Sequence, residues 1–257
     1  MNPDELLDLA VSLVDMGAEH GVTLRILGSL AARSHIQKNA GLLDLLKRTP
    51  THDIDFMGYS KELTNADRMF SELGYEKDRS IAFSQEYGVQ RLIYHHRERE
   101  IMAEIFLDEL RMAHTLDFRG RLELDSPTIS LVDLMLSKLQ IYQISEKDIK
   151  DMIALLAEHN LGRGDKELVD VNYLFKVTSN DWGLYYTSII NLGKVVEWLQ
   201  RYEVIEGSMR KDVEEKVDKM MKGMEAQPKS MRWKLRARIG TRVKWYEDVG
   251  DVHDIYQ

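Results

Sequence analysis

The sequence predicts an α+β protein, in which a mixed sheet with flanking helices comes first and a helical bundle follows. Short runs rich in branched and aromatic residues, the mark of strands, end by Asp125. From Thr128 onward every periodic stretch repeats at helical spacing. Strands and helices segregated in this way make the α+β pattern rather than the alternating one. The boundary is placed near Ser126-Pro127, giving an α/β domain over 1–125 and a helical domain over 126–257.

The elements follow in order. Asn2 caps an amphipathic helix from Asp4 to His20, with Pro3 at its first position. Val22 to Leu27 is a strand of branched apolar residues that stops at Gly28-Ser29, where a helix begins through Leu30 and Ala31. Gly41 to Pro50 is a loop ahead of the strand carrying Asp53 to Met57. Thr64 to Leu73 is a helix with Thr64 and Asp67 as its cap pair. Gln85 to His95 and Glu100 to Leu107 read as neighbouring strands that turn near Arg97-Glu98-Arg99. Helices are then expected over Thr128–Tyr142, Glu146–Glu158, Lys166–Phe175, Asp181–Tyr202, Ser208–Met224 and Ser230–Trp245. No repeat or low-complexity stretch intervenes.

The chemistry is carried first by Asp53-Ile54-Asp55. Side chains alternate along a strand, so both carboxylates project from one face and Ile54 and Phe56 from the other. Like charges side by side repel unless a cation joins them. Mg²⁺ is the expected cation, or Mn²⁺ in its place. Mg²⁺ takes one or two carboxylates and completes its shell with phosphate oxygens and water. Upstream, the strand, the Gly28-Ser29 turn and the following helix N-terminus make an anion cradle. Glycine lets a phosphate approach the backbone, serine offers a hydroxyl, and the helix end presents free N–H groups. Arg33, one turn further on, is a candidate for neutralising a leaving group, or else an exposed helix residue. A third acid, Glu104, lies in an apolar strand, Ile101 to Leu107, where an unpaired carboxylate is costly. Sharing a metal with Asp53 and Asp55 would relieve that cost; Asp108 is the runner-up.

A second block lies in the helical half. Ser130 and Asp133 start a helix whose stripe of Leu131, Leu134 and Met135 includes Lys138 at core-facing spacing. A lysine there implies an internal anion for its ammonium, either a ligand phosphate or a structural partner such as Glu104 or Asp133. Asp148 and Asp151 follow in Ser145-Glu146-Lys147-Asp148-Ile149-Lys150-Asp151. Asp148 has a second reading, as the capping acid of Ser145-x-x-Asp148.

Gly28-Ser29 followed by Asp53-Ile54-Asp55 resembles the signature of the DNA-polymerase-β-like nucleotidyltransferases. Leu-Ser-Lys-Leu at 136–139 with Lys-Asp-Ile-x-Asp at 147–151 is similar to the block of AbiEii-like predicted nucleotidyltransferases. The gap from Gly28 to Asp53 is longer than the family's usual one, and the excess is assigned to 41–50. The resemblance spans roughly Val22 to Leu156. It implies a nucleotidyltransferase-type mixed sheet, with metal held by Asp53, Asp55 and Glu104. It also implies phosphates met by Gly28, Ser29, Arg33 and Lys138, and a catalytic role for Asp148. The implied activity is transfer of an NMP from an NTP, with release of pyrophosphate, to a small molecule, protein or tRNA acceptor. A toxin–antitoxin setting with an antitoxin-type partner also comes with the resemblance. The alternative is a catalytically silent nucleotide- or RNA-binding regulator of the same fold.

Composition narrows the field. The chain has 257 residues, 44% of them hydrophobic, enough for a substantial core. It has no cysteine, which removes disulfides, thiol catalysis and thiolate zinc sites and fits a cytoplasmic location. No apolar run approaches a membrane span, and the acidic start is not a signal peptide. Walker A, Gly-x-Ser-x-Gly and His-Glu-x-x-His patterns are absent. His95 and His96 are adjacent and face opposite ways on a strand, while His52 precedes the acid pair. A net charge of −8 gives no global attraction to nucleic acid. Lys229 to Lys244 is nonetheless rich in Lys and Arg, holds no acid and carries Trp233, with Trp245 directly after it. It reads as a solvated helix face with inward tryptophans, or as a basic surface for an RNA acceptor.

Overall fold

A computed structural model describes residues 1–39, 41–49, 53–78, 91–164 and 166–248. The chain forms two compact units, one of residues 1–110 and 116–134, the other of 111–115 and 135–257. The division at its C-terminal side thus follows Leu134, inside a helix, while Ser126-Pro127 lies within the first unit.

The first unit opens with α1 (Pro3–Glu19), started by a complete Asn2–Glu5 capping box. Its sheet comprises β1 (Arg25–Ile26), β2 (Asp53–Gly58), β3 (Tyr75–Lys77), β4 (Arg91–His96) and β5 (Met102–Leu107). The strand order is β1-β2-β5-β4-β3. Only β2 and β5 run parallel; the other pairs are antiparallel, so the sheet is mixed. Helices α2 (Gly28–His35), α3 (Leu42–Leu45) and α4 (Leu63–Glu72) complete the core region. Alternation gives the sheet a continuous apolar side made by Ile54, Phe56, Ala103, Ile105, Leu92 and Tyr94, all buried. Phe70 of α4 packs on that side, stacked on Tyr94 at 4.3 Å and edge-on to Tyr75 at 5.3 Å. Such aromatic pairs contribute about 0.5–1.5 kcal/mol beyond area burial.

Two expectations change here, each for a backbone reason. The first strand is shorter than Val22–Leu27. The Val22 N–H donates to the Gly17 carbonyl of α1, and the Thr23 N–H donates to Glu62 Oε2 at 2.6 Å. Those donors are therefore lost to the ladder. The α4 cap is also different, because the helix begins at Leu63 with no side-chain cap bond. Asp67 instead accepts from the Tyr94 hydroxyl at 2.6 Å and pairs with Lys77 at 3.0 Å. Residues 85–90 of the expected third strand, and His52, lie outside the described residues.

A short hairpin of β6 (Glu109–Arg111) and β7 (Thr115–Asp117) precedes α5 (Leu131–Leu139). The backbone around Thr128 bonds to the outer edge of β1, through Ile26 N–H to Pro127 O at 2.9 Å and Ile129 N–H to Ile26 O at 3.1 Å. In the second unit, α6 (Glu146–Glu158) is the core helix and buries every residue from Ile149 to Leu156. Helices α7 (Val171–Thr178), α8 (Trp182–Leu199), α9 (Gly207–Ala226) and α10 (Met231–Ile239) accompany it. This half is not purely helical. β8 (Asn160–Gly162) and β9 (Leu168–Asp170) pair in parallel, so the helix expected from Lys166 starts only after Asp170. Asp170 is its N-cap, accepting from the Asn172 N–H at 2.9 Å. Likewise α10 does not reach Trp245, because Gly240, with φ +61°, ends it.

Candidate active site on the carboxylate face of the sheet

The sheet's second side carries the acids. The parallel register pairs Asp53 with Met102 and Asp55 with Glu104. Aligned residues on neighbouring strands share a face about 4.8 Å apart. Asp53, Asp55 and Glu104 therefore project from one face, opposite Ile54 and Phe56. Exposure falls in that order, from exposed Asp53 through half-buried Asp55 to buried Glu104.

Gly28 meets this face directly. The Leu27 N–H donates to the Asp55 carbonyl at 2.8 Å, which docks the end of β1 on β2. Gly28 has φ +69°, and a Cβ there would lie 2.6 Å from Asp55 Oδ2. Both the dihedral and the close approach require glycine. Helix α2 begins at this point, with Leu27 as its N-cap and no side-chain cap bond. Ser29 sits half-buried in the first turn. Arg33, further along α2, donates from Nε to Asp4 Oδ1 at 2.8 Å and holds that carboxyl below its usual range. Its side chain is thus tied to α1.

Glu104 has a partner that the sequence did not reveal. Ile93 of β4 stands opposite Glu104 in antiparallel register, so Arg91, two residues away, shares its face. Arg91 Nη1 lies 2.7 Å from Glu104 Oε1. The contact is close but poorly aligned, for both Glu104 Oε1 and Arg91 Nε are buried without a hydrogen-bond partner. Burial pushes the Glu104 carboxyl above its ordinary range; Arg91 opposes this and the Asp53 charge adds to it. A cation opening the apolar run Leu92-Ile93-Tyr94 was the available signal. It could be used only once the strand order was known.

The remaining acids and histidines have other places. Asp108, with φ +62°, accepts from the Ser60 N–H at 3.1 Å and the Ser60 hydroxyl at 2.5 Å, closing the turn after β5. His95 faces Asp78 at 3.3 Å, while His96 packs edge-on to Tyr75 on the other side of the sheet. Among the described residues no three His, Asp or Glu side chains are gathered closely enough to hold a metal by themselves. Mg²⁺ needs no such cluster. One or two carboxylates suffice when a substrate's phosphate oxygens and water supply the rest. The Asp53–Asp55 pair beside the bare Gly28 backbone meets that requirement in residue type, while Glu104 on the same face is paired with Arg91.

Lys138, Asp148 and Asp151 meet one another in the second unit. Lys138 Nζ donates to Asp151 Oδ2 at 2.8 Å and to Asp148 Oδ1 at 3.2 Å. Lys138 and Asp151 are almost wholly buried. Burial works against the ammonium, but the two carboxylates outweigh it and raise its pKa. The internal anions are thus Asp148 and Asp151, rather than Glu104 or Asp133. Asp133 instead pairs with Arg121 at 2.8 Å. Asp148 is also engaged at its helix start, where Ser145 Oγ accepts from the Asp148 N–H and donates to its carboxylate at 2.7 Å.

The basic segment is a mixed surface. The Trp245 indole donates to Thr187 Oγ1 at 3.1 Å, and Arg236 stacks 4.8 Å from the Trp182 ring while bonding the carbonyls of Gly240, Val243 and Lys244. Trp182, Trp233, Trp245, Arg232 and Arg236 line a cavity of about 650 Å³. Arg232, Lys234, Arg238 and Arg242 are exposed and make no ion pair among the described residues. No helix among the described residues is long and apolar enough to cross a membrane. Comparison with protein-family models, curated proteins and solved structures finds no match for this chain.

Proposed function

We propose that the protein is a metal-dependent nucleotidyltransferase, moving an NMP from an NTP to an acceptor hydroxyl with release of pyrophosphate. The observation that carries this reading is the packing of Gly28 against Asp55, with Asp53, Asp55 and Glu104 on one sheet face. In this reading the α2 N-terminus, with Gly28 and Ser29, receives phosphate oxygens through backbone N–H groups. Asp53 and Asp55 would hold Mg²⁺, which when bound supplies charge stabilisation at the phosphoryl oxygens. The acceptor oxygen bonds to the α-phosphorus as the bond to the pyrophosphate oxygen breaks. Glu104, whose carboxyl burial holds above its ordinary range, takes the acceptor's proton. Lys138 and Asp148, expected to meet phosphate and to serve catalysis, are bound to one another in an ion cluster of the helical unit and take no step here; a tRNA, protein or small-molecule acceptor is compatible with this reading.

One observation favours a second reading. Glu104 is engaged by Arg91, which suits a nucleotide-binding module of the same fold that does not turn over. Incubation with each labelled NTP and Mg²⁺, alone and with tRNA, separates the two. Pyrophosphate release that disappears in Asp53→Ala and Asp55→Ala supports the enzyme. Tight binding without release supports the module, and neither binding nor release refutes both.

A further inference from the structure

We propose that Arg91 is a partner-exchanging phosphate clamp. It holds Glu104 in the nucleotide-free protein and turns to the triphosphate when one enters, leaving Glu104 free for the acceptor. This inference rests on the nucleotidyl-transfer reading, which does not itself assign Arg91 any role.

Three observations support it. First, the existing pair is imperfect. An arginine that serves only to lock a carboxylate makes a bidentate fork, with two aligned N–H bonds. Here Nη1 lies 2.7 Å from Glu104 Oε1, yet Nε is buried without an acceptor. A buried unpaired donor costs about 1–3 kcal/mol, so the arrangement retains a demand for another anionic oxygen. Phosphate oxygens meet the guanidinium fork in the geometry that this carboxylate does not provide.

Second, Arg91 is placed where a triphosphate would need it. It shares the face with Asp53, Asp55 and Glu104, and its side chain is 16% exposed, against 10% for Glu104. The Arg91 side chain is therefore the slightly more exposed member of the pair. It stands at the first residue of β4, in register with Phe106 of β5. Third, Asp53 and Asp55 stand on the same face beside Glu104, so a guanidinium that leaves Glu104 remains among anionic groups. Exchanging one anion for another keeps the guanidinium paired throughout, so no bare buried charge is created during the swing.

The test is calorimetric titration of the full-length protein with Mg²⁺-tripolyphosphate and with each Mg²⁺-NTP. The inorganic probe removes any dependence on the base. Four proteins are compared, namely wild type, Glu104→Gln, Arg91→Gln and the double variant, each checked for folding by circular dichroism. Glu104→Gln releases Arg91, and tripolyphosphate is expected to bind about tenfold tighter, the scale of one charged hydrogen bond. Arg91→Gln is expected to weaken binding by at least the same factor. In the double variant the gain from Glu104→Gln disappears, because the clamp it frees is no longer present. If Glu104→Gln leaves affinity unchanged or lowers it, the exchange is refuted. If its gain persists without Arg91, the effect is simple removal of a negative charge, and the proposal again fails. If Arg91→Gln does not fold, Arg91→Lys, which keeps the charge but not the fork, takes its place, and a Glu104→Gln gain that persists undiminished in that background refutes the exchange. Should the wild type bind neither probe while Glu104→Gln does, the nucleotidyl-transfer reading falls but the Arg91 pairing survives as an anion gate. Binding by none of the variants overturns both.

Discussion

Gly28→Ala is the sharpest probe of the site's construction. Two separate penalties are expected. The dihedral is the first: φ is +69°, and an L-residue held in the left-handed region costs roughly 1–2 kcal/mol. The second is collision, because the new Cβ would lie 2.6 Å from Asp55 Oδ2, closer than side chains tolerate. Either Asp55 swings away or the end of β1 separates from β2, and the Leu27–Asp55 backbone bond weakens with it. The two terms can be separated by a double-mutant cycle with Asp55→Ala, followed by urea denaturation. Removing the carboxylate abolishes the collision but leaves the dihedral strain. The cycle should therefore show a favourable coupling of about 0.5–3 kcal/mol, the range for residues in contact. Strict additivity would mean that Gly28 and Asp55 do not touch as described. A Gly28→Ala protein as stable as wild type would refute both the strain and the contact.

Other expectations follow from the same geometry. Lys138→Met leaves Asp151 buried without its cation and should destabilise by about 3–5 kcal/mol, read from denaturant midpoints; Lys138→Met combined with Asp151→Leu should recover most of that loss. Phe70→Ala removes the ring stacked on Tyr94 and should lower stability by about 3–5 kcal/mol in urea. His114 gives a pH signature, since burial holds its imidazole below the ordinary histidine value while the Asp181 charge partly opposes the shift. Between the depressed folded pKa and the ordinary value near 6.5, the unfolded chain binds more protons, so stability falls as pH drops through that window. His114→Gln, which can still bond Thr187, should flatten the slope in thermal melts between pH 5 and 7, and an unchanged slope would assign it to other groups.

Much of the site was legible because it depends on local rules. Strand alternation alone puts Asp53 and Asp55 on one side, and a Gly-Ser turn before a helix signals a tight backbone approach. What escaped was set by pairings distant in sequence. Arg91 reaches Glu104 only because β4 lies beside β5 in antiparallel register, an arrangement that the residues of β4 do not encode by themselves. Lys138 was readable as a core lysine, but its partners lie on a different helix, one turn apart at Asp148 and Asp151. The shortened β1 was hidden for a similar reason. Val22 and Thr23 have strand-like side chains, yet their N–H groups are taken by Gly17 and Glu62. β8 and β9 were missed because three-residue strands leave no measurable period, and Asp170 looks the same as a helix residue or as a cap.

The backbone seam between Ile26 and the Pro127–Ile129 segment has a practical outcome for dissecting the molecule. A fragment cut at Asp125 would strip the outer rim of β1 and leave the Ile26 N–H and carbonyl unanswered close to Gly28, an invitation to sticky self-association. One cut after Leu134 keeps that rim sealed. The length at which an isolated N-terminal piece stays monomeric should therefore be set by this seam and not by where strands give way to helices along the chain.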